Sequence, residues 1–120
     1  MNRRATVALV LGLAVAGCGD ERVDIATADS DICMLNWVVG ELVASPAGVA
    51  IVAEEQNGKR ELSITWAPGM TATRTRLGGI DIHAPDGRVV ASTGQRIKLM
   101  GGYGDENAWT TCSDGVYPPE

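Results

Sequence analysis

Alternation with a period of two governs the apolar and polar positions from Leu35 onward. Leu62, Ile64 and Trp66 take one face of a stretch whose other face is Glu61, Ser63 and Thr65. Successive side chains of a strand point to opposite sides of a sheet, so this pattern predicts a half-buried strand. Gln95, Ile97 and Leu99 alternate in the same way with Arg96, Lys98 and Met100, which gives an apolar inner face and a basic outer edge. Leu35, Trp37 and Val39 alternate with Asn36 and Val38, and that strand is expected to continue through Leu42 and Val43. Val49–Ala53, Thr71–Leu77, Ile80–Ala84 and Arg88–Ser92 complete the set of expected strands.

Turn chemistry separates these stretches. Ser45-Pro46-Ala47-Gly48 marks one turn, and Asn57-Gly58 marks a hairpin, both of its residues tolerating the positive φ of a type I′ turn. Pro68-Gly69 suits a type II turn, Gly78-Gly79 introduces the next strand, and Pro85-Asp86-Gly87 closes a further hairpin. No segment carries a sustained helical period. Short strands with turn signals every eight to twelve residues or so predict an all-β fold: a small antiparallel β-barrel, OB-like, with a β-sandwich as the alternative.

One apolar stretch does not belong to this grammar. Ala5 to Val15 follows Arg3 and Arg4 and ends in Val15-Ala16-Gly17-Cys18. A basic start, an apolar run and small residues before a cysteine form the layout of a bacterial lipoprotein signal, cut ahead of the cysteine. The run is too short for the roughly 20 residues a membrane-spanning helix needs. Residues 1–17 are therefore expected to be a signal peptide and Cys18 the lipid acceptor. Two acyl chains, at about 0.8 kcal/mol per buried CH₂, hold a protein on a membrane where one chain is marginal. The expected location is the cell envelope, on the extracytoplasmic side.

The cysteine count agrees. Of three cysteines, lipidation of Cys18 leaves Cys33 and Cys112 as one pair. Thiols oxidise outside the cytoplasm, and closing a loop of about 80 residues stabilises a fold by about 4–5 kcal/mol in the chain-entropy model. Two cysteines without CxxC spacing and a single histidine make a poor metal set, so neither metal nor cofactor is expected.

Charge narrows the partners. Beyond residue 17 the chain has eight basic and fifteen acidic residues. Such a surface does not suit the phosphate backbone, so no nucleic-acid partner is expected. Asp20, Glu21, Asp24, Asp29 and Asp31 crowd ahead of Cys33, where apolar residues are few and small. That composition predicts a solvated, lipidated tether over 18–31, with the β-domain occupying 32–120.

The run Trp66-Ala67-Pro68-Gly69, Gly79-Ile80-Asp81-Ile82, Asp86-Gly87-Arg88-Val89-Val90-Ala91, Gly94 and Ile97-Lys98-Leu99-Met100-Gly101-Gly102 resembles a pattern of small, uncharacterised bacterial lipoproteins of actinobacterial type. The resemblance covers residues 66–102. It departs where Ala67 separates Trp66 from Pro68. It implies a small envelope β-barrel with a cysteine pair, and no activity.

Catalytic motifs are absent: there is no GxSxG, SxxK, HExxH, P-loop or CxxC. His83 is the single histidine and shares a strand face with Asp81, which suits a surface ion pair better than an activated base. No enzymatic activity is expected. The glycine-rich stretch Gly101–Asn107 is the candidate binding loop, with Tyr103 as a flat contact and Asp105 and Glu106 as oxygen donors; the competing reading is a plain connection between strands. Trp37, Trp66 and Trp109 suggest sugar stacking, but in a chain without phenylalanine two of the three are expected in the core. Arg74, Arg76, Arg96 and Lys98 are expected as solvated outer-face charges. The reading that follows is a lipid-anchored envelope protein whose β-domain binds a protein or small ligand, or else an accessory subunit of a larger assembly. An exposed apolar patch would favour docking, and a concave pocket at Trp66 or Tyr103 a ligand.

Overall fold

A computed structural model describes residues 21–31 and 33–119, all of it strand, turn and loop. The elements are β1 (Glu21–Val23), β2 (Ala26–Thr27), β3 (Asn36–Ser45), β4 (Gly48–Glu55), β5 (Gly58–Trp66), β6 (Thr71–Arg74), β7 (Ile80–His83), β8 (Val89–Ser92), β9 (Arg96–Tyr103) and β10 (Ala108–Tyr117). β3, β4 and β5 form an antiparallel meander, and β9 pairs with the free side of β3. β10 pairs antiparallel with β9 and parallel with β5, with Trp109 opposite Ile64. The five strands thus close into a ring with the OB-like order β3-β4-β5-β10-β9. The all-β barrel expected from the sequence is present, with one correction: it is not wholly antiparallel. Five strands alternating in direction around a closed ring must meet once in parallel, and β5 and β10 are that pair.

β6, β7 and β8 form a second antiparallel meander, edged by β1. Its apolar residues Ala72, Ile80, Ile82 and Ala91 join Leu42, Ile51, Leu62, Trp66, Leu99 and Trp109 of the barrel in one buried cluster. A single core of this kind supplies the main favourable term of folding. Trp66 and Trp109 are its largest members, both completely buried, so two of the three tryptophans lie in the core as expected, and Trp37 is the one left outside. The indole N–H groups of both buried tryptophans lack a partner among the described residues, a cost the surrounding apolar contacts outweigh.

Local expectations held in β5, where Leu62, Ile64 and Trp66 point inward, and in β9, where Ile97 and Leu99 do. Pro68-Gly69 makes the expected turn: Gly69 has φ of 85° and Met70 N–H donates to the Ala67 carbonyl at 3.3 Å.

Four expectations need correction. β3 faces the other way, with Val38, Gly40 and Leu42 inward and Leu35 and Trp37 outward. A side chain at Gly40 would strike the Val52 backbone, so only glycine lets the two strands approach there. The β4–β5 hairpin turns on Gln56-Asn57, since Glu55 pairs with Gly58, and Gly58 alone takes positive φ, at 130°. That is not the type I′ turn expected of Asn57-Gly58. Gly101–Tyr103 belong to β9, so the predicted loop shrinks to residues 104–107. Finally, the expected spacer is strand-forming from Glu21. Glu21 pairs with Arg74 and Val23 with Ala72, while Ala26 and Thr27 lie parallel to Thr65 and Trp66. Unpaired backbone at the edges of β6 and β5 offers this polar segment hydrogen bonds that composition alone does not reveal.

Candidate functional site

Cys18 lies outside the described residues. Cys33 and Cys112 form the expected disulfide, with Cα atoms 5.1 Å apart. Cys33 precedes β3, and Cys112 opens a bulge in β10: Thr111 pairs with Gly101 and Val116 with Leu99, so the residues between them bulge outward. Asp114 sits in that bulge at φ of 56°. Ser113, beside it, ties down the acidic segment: its N–H donates to Asp31 at 3.1 Å and its hydroxyl donates to the same carboxylate. The Ser113 hydroxyl, and after it the Ser113 N–H, holds the Asp31 carboxyl below the ordinary aspartate range.

The candidate loop is a brace. The Tyr103 ring packs edge-on against Trp109, with centroids 5.0 Å apart, and the Arg60 guanidinium lies 5.4 Å from the Tyr103 centroid. Arg60 also bonds Glu55 at 2.9–3.0 Å and donates to the Glu106 carbonyl at 2.8 Å. Asp105 and Glu106 act through their backbones, Asp105 accepting from Ala108 N–H at 3.1 Å. Tyr103, Asp105 and Glu106 are therefore adjacent, but among the described residues neither carboxylate forms a hydrogen bond or ion pair that would join it to the tyrosine ring.

His83 does not pair with Asp81. Its Nε2 meets the Thr73 hydroxyl at 2.8 Å and its Nδ1 the Gly87 carbonyl at 3.0 Å, so Nδ1 carries the proton that bond requires. Asp81 instead accepts from the Ser92 hydroxyl at 2.6 Å. Both groups lock the second meander. The four basic residues expected as outer-face charges divide: Arg96 makes a two-point bond with Glu54 at 2.7 and 2.8 Å, Arg74 sits 3.8 Å from Glu21, Lys98 turns to an aromatic ring, and Arg76 is exposed in the turn after β6.

That ring belongs to a face the sequence reading missed. Trp37 on β3 is 44% exposed and meets Tyr117 of β10 edge-on at 5.3 Å between centroids. Lys98 Nζ stands 4.5 Å from the Trp37 centroid, within cation–π range. Met100 is directly opposite Trp37 in register, and Met34 covers the space above Gly102. Leu35, two residues before Trp37 and just ahead of β3, is 81% exposed. The signal was present as phase: had Val38, Gly40 and Leu42 been taken as the inner row, Trp37 would have been placed outside.

A cleft of about 190 Å³ lies between the β10 bulge and the second meander, lined by apolar Met70, Ala84, Val90 and Val116 and by Arg88 and Asp114. Neither Trp66 nor Tyr103 lines it. No known protein family, characterised protein or solved structure matches this chain.

Proposed function

We propose that this chain is a non-enzymatic envelope lipoprotein, anchored through Cys18, whose barrel docks a protein partner. The reading rests on one observation: the outer face of β3, β9 and β10 displays Trp37 and Tyr117 in contact with Lys98 over the Trp37 ring, and exposed Leu35 stands two residues ahead of Trp37 in the chain. Aromatic and methionine residues are enriched, and charges depleted, in the buried centres of protein interfaces, and tryptophan and tyrosine carry much of their binding energy. The outer wall of a closed barrel is convex. A convex wall cannot bury most of a small ligand's surface, but it fits a complementary protein surface. The lipoprotein signal and the lipoprotein-like pattern over 66–102 support the location, and the structural use of both His83 nitrogens supports the non-enzymatic part. An accessory subunit of a larger assembly would use the same face.

Photocrosslinking in cells tests this. A photoreactive residue at Leu35 is expected to give one discrete protein adduct, lost when Trp37→Ala and Tyr117→Ala are combined, while the same group at Asn57 gives none. Identical adducts at both positions, or none at Leu35, would contradict the reading.

A further inference from the structure

The β6–β7 hairpin stands where the lipid must be. β1 runs antiparallel to β6 with Glu21 opposite Arg74, the last residue of β6. β1 therefore begins beside the hairpin of residues 75–79, and Cys18 precedes it by three positions in the chain. Two residues separate Glu21 from Cys18, a span of three Cα steps, and two separate Arg74 from Leu77. Covalent geometry limits the first interval to about 10–11 Å, so an acylated Cys18 keeps this end of the domain against the bilayer. The expected spacer, with β1 already paired from Glu21, leaves no length to hold the domain away.

The hairpin is built to present one side chain. Gly78 N–H donates to the Thr75 carbonyl at 3.0 Å and Thr75 N–H to the Gly79 carbonyl at 2.8 Å, closing a tight turn. Leu77 sits in that turn with 99% of its surface exposed. A single exposed leucine is unremarkable by itself. Here it lies at the exit of the lipid anchor, flanked by Arg74 and Arg76, with Arg22 on the adjoining strand. Arg22, Arg74 and Arg76 are three of the eight basic residues in an otherwise acidic mature chain, against Asp20 and Glu21 nearby. Arg22 and Arg76 form no ion pair among the described residues. Long basic side chains around an apolar tip suit the boundary between acyl chains and anionic headgroups.

We infer that the β6–β7 hairpin is a second membrane contact: Leu77 enters the interface of an anionic bilayer while Arg22, Arg74 and Arg76 meet its headgroups. The inference rests on the lipid-anchor reading. The contact fixes the orientation of the barrel.

The test uses full-length protein purified from membranes with Leu77→Cys. With Cys18 acylated and Cys33 and Cys112 paired, position 77 is the only free thiol and takes an environment-sensitive fluorophore. The protein is reconstituted into vesicles of phosphatidylcholine with or without phosphatidylglycerol, and intact mass reports the lipid on Cys18. The expected result is a blue-shifted emission quenched by brominated acyl chains in the anionic vesicles, reduced by combining Arg22→Gln, Arg74→Gln and Arg76→Gln. A label at Asn57→Cys is expected to stay in water. Lipidated protein whose label at 77 stays in water, or is quenched no more than at 57, overturns the inference and leaves the anchor standing. Equal quenching without phosphatidylglycerol overturns the role of the arginines. Absence of lipid mass removes the anchor and this contact together.

Discussion

Trp37, Trp66 and Trp109 show how far a residue's chemistry leaves its role open. All three are large, amphipathic and set in strands, yet two fill the barrel and one stands outside beside Tyr117 and Lys98. Composition identified the proportion, since a chain without phenylalanine must use tryptophan to fill its core. It did not identify which one is exposed; the phase of β3 carries that signal, since Trp37 shares its row with Glu41 while Val38, Gly40 and Leu42 form the other. The roles differ in energy. Trp109→Ala removes a fully buried indole and is expected to cost about 3–5 kcal/mol by chemical denaturation. Trp37→Ala is expected to cost about 1 kcal/mol or less, while weakening the crosslink at Leu35 that is lost when Tyr117→Ala is added. A larger stability loss for Trp37 than for Trp109 would reverse the assignment of inside and outside.

Among the elements, those with one wet and one dry face were legible. β5 and the start of β9 could be placed to the residue because burial follows alternation there. Elements held by neighbours were not. β1 and β2 are short and polar and exist because β6 and β5 leave an edge to pair with. Gly101–Tyr103 look like a flexible loop in sequence, yet a side chain at Gly101 would meet the Thr110 backbone, so the glycines serve close strand approach. The candidate loop was thus half legible: its turn was found, and its packing was not. Tyr103→Ala is expected to cost about 1–2 kcal/mol, because it loses the edge-on contact with Trp109 and the Arg60 contact. Asp105→Ala and Glu106→Ala should each stay within about 0.5 kcal/mol, since their contributions are backbone bonds that alanine retains. Equal losses at all three positions in urea melts would show that the turn, and not the ring, is the brace.

At the scale of the whole molecule, the fold class was legible and the closure was not. Turn spacing and period-two patterning state that the chain is all-β. The parallel meeting of β5 and β10 joins residues some 45 positions apart, Ser63 with Ala108 among them, and follows from the odd number of strands in the ring. No local pattern encodes it. The disulfide, by contrast, was legible from the cysteine count once Cys18 is read as the lipid acceptor, and it ties the approach to β3 to the bulge of β10. Its reduction is expected to lower stability by about 2–5 kcal/mol, read as a shift of the denaturation midpoint. Unchanged stability would mean that strand pairing alone constrains these ends.

The proposed docking face and the inferred hairpin contact both take their meaning from the lipid anchor proposed at Cys18. Intact mass of the protein purified from membranes, after metabolic labelling with a fatty-acid analogue, tests the anchor directly. The account predicts a chain beginning at Cys18, carrying the label and diacylglyceryl mass, with no free thiol before reduction; Cys18→Ser should leave an unlabelled precursor that retains residues 1–17. Label that persists in Cys18→Ser, or a wild-type chain that keeps its first 17 residues and carries no lipid, would contradict it.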